Sequence, residues 1–248
     1  FAGYPRFGAA LFASRIPQPV RTAGSGFIQA LTFGGRFFPG AARFARKAAL
    51  SAPESLFEWC SWFDRAQIRR LVGGTVMDRD PAASYFAAFD RSEGAKTLNR
   101  LLYTNARTYL LDDLIPKMDR MTMAHGLEAR SPFLDTDLAV MAASLPDHYK
   151  WRGRAGKSLL KSSVSSHFPP GFLDRKKQGF AVPLDRWFRH ELRPFLENAI
   201  GPGSRIRQHL NGTEIDMFMK EHLGGVQDHG SRLWTLLTLE LWLEKYAA

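Results

Sequence analysis

One cysteine, Cys60, stands in 248 residues, so no disulfide can form within the chain. That scarcity suits a reducing, cytoplasmic setting. Cys60 lies among Trp59, Trp62 and Phe63 and reads as a small core residue rather than a nucleophile. No apolar run approaches the ~20 residues of a membrane span, and no membrane partner is expected. Phe1-Ala-Gly-Tyr-Pro-Arg-Phe7 has neither an initiator methionine nor a signal-peptide pattern, and reads as the middle of a longer chain. The seven histidines show no metal-ligand spacing. Glu221-His222 and His229 stand too far apart, no HExxH occurs, and no metal ligand is assigned. The G-x-S-x-G nucleophile elbow is missing too. So are internal repeats, low-complexity tracts and any βαβ alternation with a glycine-rich turn.

What the chain has in excess is positive charge, with 34 Lys and Arg against 24 Asp and Glu, a formal +10. Such an excess serves nucleic acid, an anionic surface, or small anions such as nucleotide and pyrophosphate. A nucleic-acid module is disfavoured here. The basic residues are spread from Arg6 to Lys245, and the aromatic residues occupy apolar helical positions rather than alternating with the bases.

Helices dominate the pattern. Residues 1–40, broken by Pro17, Pro19, Gly24, Gly26, Gly34, Gly35 and Pro39, read as irregular with one or two short helices. Residues 41–50 form a basic helix whose Arg43, Arg46 and Lys47 read as a solvated face, with phosphate contact the alternative. Residues 51–72 suit a helical hairpin with Leu56, Phe57, Cys60 and Phe63 as its stripe. Asp80 reads as the cap of the next helix, and Lys96 to Leu111 as a longer one with Leu98, Leu101, Leu102 and Ala106 inward. Further on, Lys157 to His167 is helical with Leu159, Leu160 and Val164 buried. Trp187 to Ile200 is amphipathic, Thr213 to His222 is helical, and Ser231 to Tyr246 is apolar on most sides and well buried.

The stretch from Tyr109 to Asp135 carries the densest chemistry. Pro116 suits a first helical turn, from which Met118, Met121 and His125 recur on one face and Lys117, Arg120 and Ala124 on another. Gly126 supplies a stop that tolerates φ > 0. Residues 127–131 read as extended before Pro132, which places Glu128 and Arg130 on the same side as a pair. Asp135 caps the following helix, with Leu138, Met141 and Ala142 as its buried stripe. The alternative is a Met-rich core helix with solvated charges.

Two further segments draw attention. Trp151-Arg-Gly-Arg-Ala-Gly-Lys-Ser158 resembles the end of a Walker A loop, but Trp151 stands where the first glycine is required. Lys157 is left as either a phosphate contact or a surface lysine. Arg175-Lys-Lys-Gln-Gly-Phe180 brings Lys176 and Lys177 beside a glycine, bracketed by Phe172 and Phe180. An ammonium held there among apolar neighbours can stabilise charge developing on a phosphate leaving group.

Taken together, Phe1-Ala-Gly-Tyr4, Lys117 to Asp135, Gly156-Lys157 and Arg175 to Leu184 resemble the C-terminal synthetase domain of glutamine-hydrolysing asparagine synthetase. The resemblance runs to about Trp187. It implies a mainly α chain: the helical C-terminal portion of an α/β, adenine-nucleotide α-hydrolase-like (PP-loop ATP pyrophosphatase) domain. Residues 1–200 would be the partial synthetase domain and 201–248 its helical tail. The implied reaction activates aspartate with ATP and Mg2+ to β-aspartyl-AMP, which ammonia from a glutaminase domain of the same chain converts to asparagine. The resemblance implies that Lys177 is catalytic, binding pyrophosphate, and that Lys117, Asp119, Arg120, Arg130 and Lys176 line the cleft. It implies further that Glu128 and Asp135 are structural braces. A homodimer is compatible with it. The Ser-Gly-Gly-x-Asp-Ser loop and the Gly-Asp-Gly-Gly-Asp-Glu run of that family do not occur in these residues, so the magnesium ligands are expected mainly outside them. A relative forming another amide or a macrolactam would carry the same basic loop.

Overall fold

The computed structural model describes residues 1–31, 39–73, 80–153, 155–175 and 182–247. In chain order the first helices are Pro5–Ser14 (α1), Gln18–Leu31 (α2), Pro39–Ala49 (α3), Ala52–Cys60 (α4) and Arg65–Val72 (α5). Ala83–Asp90 (α6), Thr97–Asn105 (α7), Ile115–Met123 (α8), Thr136–Ser144 (α9) and Asp147–Lys150 (α10) follow. Trp151–Arg152 (β1) and Ala155–Gly156 (β2) pair antiparallel, with Trp151 opposite Gly156. The remainder is Ser158–Val164 (α11), Leu184–Arg189 (α12), Arg193–Ala199 (α13), Gly212–Leu223 (α14) and Gly230–Tyr246 (α15). The described chain is mainly helical. It divides into two compact units, Phe1–Cys60 with Ala82–Lys176, and Ser61–Pro81 with Lys177–Ala248.

In the first unit Ala2, Phe7, Leu56, Leu98 and Leu101 form the core, with Tyr4 and Trp151 packed against it. The N-terminal region is more regular than its glycines and prolines suggest. α1 begins at Pro5, and α2 runs for 14 residues straight through Gly24 and Gly26. Tertiary packing outweighs the ~1 kcal/mol each glycine costs a helix: α2 lies on α3, and Arg21 donates to the carbonyls of Ala48 and Leu50 at the end of α3. The basic face of α3 is not fully solvated either. Lys47 is buried, donates to Glu58 O and lies over the Trp59 ring, while Arg46 pairs with Glu58.

From Thr97 to Met123 the chain is one uninterrupted helical run, with a π-helical segment, Ala106–Leu114, between α7 and α8. Pro116 lies in the first turn of α8, as expected, but that turn continues a helical run rather than opening a new one. In an ordinary α-helix its ring would crowd the carbonyl four residues back and leave it unbonded. The wider turn immediately before it relieves that clash.

The expected hairpin over 51–72 resolves into helices serving different units. α4 packs against α1, α6 and α7, and α5 against α14. α5 is entered through a capping box, with Asp64 accepting from Gln67 N–H and Gln67 answering the Asp64 N–H. Asp80 is not a cap: it pairs with Arg65, and α6 begins after Ala82 without a side-chain cap.

The second unit is built on Phe188, Leu196, Ile206, Ile215, Phe218, Leu233, Leu236 and Leu237. The amphipathic run expected over 187–200 is broken at His190 into α12 and α13. α15 buries Leu233, Leu236, Leu237 and Leu243, each fully buried leucine contributing about 1.5–3 kcal/mol, but leaves Leu239, Leu241, Trp234 and Trp242 exposed. It is buried on one side, not on most.

Two histidines 7 residues apart meet at the turn between α14 and α15. His222 Nδ1 accepts the His229 N–H at 3.1 Å. His229 Nε2 faces Glu221 at 2.7 Å and its Nδ1 faces Arg232 at 2.7 Å. Burial pushes both imidazoles below their ordinary range, helped at His222 by the Arg189 cation and opposed at His229 by Glu221. A depressed histidine is neutral when folded, so its stabilising share is complete above about pH 6.5 and is lost as pH falls through the folded value. Thermal melts are expected to shift downward between pH 7.5 and about 5.5, before ordinary carboxylates titrate. A midpoint that stays level across that window would remove the linkage.

Candidate functional site

Three stretches far apart in sequence meet in the first unit. The Phe1 carbonyl accepts the Lys157 N–H at 3.0 Å, and the Phe1 ring meets Phe133 edge-on at 6.2 Å. Glycines make the approach possible. A Cβ at Gly156 would collide with the Ala2 carbonyl, one at Gly3 with the Lys157 side chain, and one at Gly8 with the Trp151 indole. The backbone is strained where the stretches touch. Ala2 (φ 51°) and Lys157 (φ 59°) are the two non-glycine residues with positive φ among the described residues. Each costs roughly 1–2 kcal/mol, which packing of the junction must offset. Lys157 is exposed, in left-handed geometry immediately before α11.

From this junction α11 leads toward the basic segment. Lys161 on α11 lies 3.9 Å from Asp174, next to Arg175. Lys176 and Lys177, expected from the sequence as site residues, lie outside the described residues.

The block containing Phe133 is shaped by local rules. α8 ends in a Schellman motif: Leu127 N–H bonds Thr122 O, Gly126 N–H bonds Met123 O, and Gly126 has φ 69°. Arg130 then pairs with Glu128 at 3.0 Å, as expected, but both side chains are well exposed and the pair is worth little in stability. Asp135 caps α9 by accepting the Leu138 N–H at 3.0 Å. Lys117 lies 3.4 Å from Asp113 one turn earlier, while Asp119 and Arg120 stand exposed on α8. Lys117 and Arg130 thus have separate acidic neighbours.

The buried stripes expected here are absent. Neither α8 nor α9 holds a buried residue: Met118, Met121, Met123, Val140 and Met141 are exposed, and Leu138 and Ala142 are half-buried. On α11, Leu159, Leu160 and Val164 are likewise half-buried. Helical spacing was right and the inference of burial was not, because spacing identifies an apolar face without supplying its cover.

Lys150 gives no sign of itself in the sequence. It is 1% exposed, and its ammonium donates to Asn99 Oδ1 and to the Ala143 carbonyl near the end of α9, tying that helix to α7. Burial lowers its pKa, with Asp147 opposing. Cys60 is half-buried in the first core, where burial raises its thiol, so it is an unreactive packing residue.

The Asparagine synthase family profile matches residues 1–244. The chain belongs to the asparagine synthase family. It is 30% identical over 178 residues to glutamine-hydrolyzing asparagine synthetase 1 of Bacillus subtilis (strain 168), covering 72% of this chain and 28% of that protein. A provisionally named glutamine-hydrolyzing asparagine synthetase of Mycobacterium tuberculosis (strain ATCC 25618 / H37Rv) is 29% identical over 197 residues, covering 79% of this chain and 30% of the relative. The chain thus spans less than a third of the length of these relatives. No solved structure matches significantly. Within the family match, the junction joins the first residues of the chain to the Phe133 and Lys157 regions. No helix among the described residues is long and apolar enough to cross a membrane.

Proposed function

We propose that the chain is the C-terminal part of an ATP-dependent, AMP-forming synthetase that converts aspartate to asparagine through β-aspartyl-AMP, with ammonia derived from glutamine. The observation that carries this reading is the meeting of Phe1 with Phe133 and Lys157, residues of two motifs more than a hundred positions further along the chain, joined through strained backbone. Strain of this kind persists where surrounding structure over-determines it, and it clusters at functional sites. That the relatives are named glutamine-hydrolyzing asparagine synthetases supports the reaction class.

In this reading Lys177 is the catalytic cation. Its ammonium meets the negative charge that builds on pyrophosphate as the aspartate carboxylate attacks the α-phosphorus. Lys117, Asp119, Arg120, Arg130 and Lys176 serve substrate and pyrophosphate binding, and Glu128 and Asp135 are structural braces. We read residues 1–200 and the tail 201–248 as one synthetase domain, whose nucleotide-binding α/β sheet is supplied by other parts of the protein. Among the described residues no group of three His, Cys, Asp or Glu side chains is placed to hold a metal ion, so no step through magnesium is assigned to them. A cytoplasmic enzyme, with a homodimer compatible, completes the proposal.

The test is pyrophosphate release by the full reading frame that contains this chain, with ATP, magnesium and aspartate. Aspartate-dependent release is the expected result. Release with other carboxylates alone would move the function to a related amide or macrolactam synthetase. A folded protein that releases none with any carboxylate would end the adenylation reading.

A further inference from the structure

Arg6, in the first turn of α1, is a half-buried charge that the reaction scheme does not use. Its guanidinium carbon lies 4.3 Å from the centre of the Tyr4 ring, 5.0 Å from that of Tyr109 and 5.6 Å from that of Phe7. One terminal nitrogen, Nη2, donates to Asn105 Oδ1 at 2.6 Å. Asn105 ends α7, and Tyr109 stands in the π-helical segment that follows. Two of the groups that hold Arg6 thus come from the point where the helical run widens. Single π-helical turns are found frequently at functional sites.

These contacts hold the cation without neutralising it. Among the described residues no carboxylate pairs with Arg6, and its Nε is buried without an acceptor. The titratable side chains around it are neutral. Burial raises the Cys60 thiol and the Tyr85 and Tyr109 hydroxyls above their ordinary ranges, so none of them supplies a counter-charge. A half-buried cation with an orphaned donor is costly, and such a donor in a native fold calls for a partner. The guanidinium is planar, singly charged and walled by flat rings, with Nε and Nη2 on one edge. That is the geometry that receives a carboxylate. A phosphate dianion carries more charge than this single fork balances.

We propose that Arg6, held between Tyr4 and Tyr109 and steadied by Asn105, is a binding site for a single carboxylate, the main-chain carboxylate of the aspartate substrate. The inference rests on the synthetase reading given above. Aspartate carries two carboxylates, and an enzyme that activates the side-chain one gains by anchoring the other away from the reacting atoms. Position in the fold supports this. Arg6 follows Phe1 and Ala2 of the strained junction, and Tyr109 leads turn by turn to Asp113 and Lys117 on the same helical run, all within the first unit. The main-chain carboxylate is bound alike before and during the reaction. Arg6 therefore sets the KM for aspartate and the choice of substrate rather than kcat.

The experiment compares aspartate with β-alanine, which is aspartate without its main-chain carboxylate, in pyrophosphate release by the full reading frame. Wild type is expected to favour aspartate in kcat/KM by about 10–100-fold, as the loss of charge-assisted hydrogen bonds implies. Arg6→Ala is expected to raise the KM for aspartate by the same factor, with kcat within about threefold and β-alanine kinetics unchanged. Arg6→Lys, which keeps the charge without the fork, should recover part of the loss. A wild type that takes β-alanine as readily as aspartate would overturn the proposal, with no variant needed. So would Arg6 variants that lose both substrates equally, which is the behaviour of a merely structural residue. Variants that raise the KM for ATP alone would replace the carboxylate by a nucleotide phosphate. If the wild type releases no pyrophosphate with any carboxylate, the synthetase reading ends, and calorimetric titration of aspartate into the folded protein decides Arg6. Binding that is lost in Arg6→Ala would sustain the carboxylate site; no binding, or binding unchanged in the variant, would end it.

Discussion

Lys177→Ala is expected to lower aspartate-dependent pyrophosphate release by about 10²–10³-fold, equivalent to about 2.7–4 kcal/mol of transition-state stabilisation. The physical basis is that charge on the leaving pyrophosphate is larger in the transition state than in bound ATP, so the lost interaction belongs to the chemical step. The loss should therefore appear in kcat, with the KM for aspartate nearly unchanged. Lys177→Arg should recover only part of it, because a planar fork does not place its charge where a compact ammonium does. Steady-state kinetics on the full reading frame, with circular dichroism to show that the variant is folded, decides the matter. A variant within about threefold of wild type would remove Lys177 from the catalytic role.

The largest effect expected on stability comes from a residue with no part in the chemistry. Glu240 is 1% exposed on α15, and its two oxygens accept the backbone N–H groups of Arg205 at 2.9 Å and Ile206 at 2.6 Å. Those donors open the 3-10 turn Arg205–Gln208, whose Ile206 side chain is fully buried in the second core. Arg205 in turn donates to the carbonyls of Leu243 and Ala247 at the end of α15. One carboxylate thus seats a turn on the helix that carries most of the core leucines. Glu240→Ala leaves both donors buried without acceptors and should cost about 3–5 kcal/mol. Against typical domain stabilities of roughly 5–15 kcal/mol, that is enough to unfold much of the population near physiological temperature. Glu240→Gln retains one acceptor and should cost less. Glu244→Ala, one turn on and exposed, should fall within about 0.5 kcal/mol of wild type. Urea unfolding followed by tryptophan fluorescence separates the three. Equal midpoints for Glu240→Ala and Glu244→Ala would show that the carboxylate holds nothing.

The family was legible because its motifs are contiguous. Lys117 to Asp135 and Arg175 to Leu184 can be read residue by residue without knowing what they touch. The meeting of Phe1, Phe133 and Lys157 was not legible, since nothing at Ala2 or Lys157 announces a positive φ. Gly3, Gly8 and Gly156 carried the nearest signal. Glycine in a tight packing junction looks the same in sequence as glycine in a turn.

By itself the sequence determined what acts within a few residues. It placed the Gly126 stop with its paired Schellman bonds, the Asp135 cap on Leu138 and the Glu128–Arg130 pair. Each is a contact between neighbours whose geometry follows from residue type and backbone rules. Tertiary structure alone decided which apolar stripes are covered, leaving α8 and α9 without a buried residue while sealing Leu98 and Leu101. It also decided that Lys47, Lys150 and Glu240, charged residues that read as surface, are buried. A charge can be buried only where donors or acceptors converge on it, and for Lys150 and Glu240 those partners come from as far as 51 and 35 positions away. Local pattern holds no information about such partners; the fold brings them.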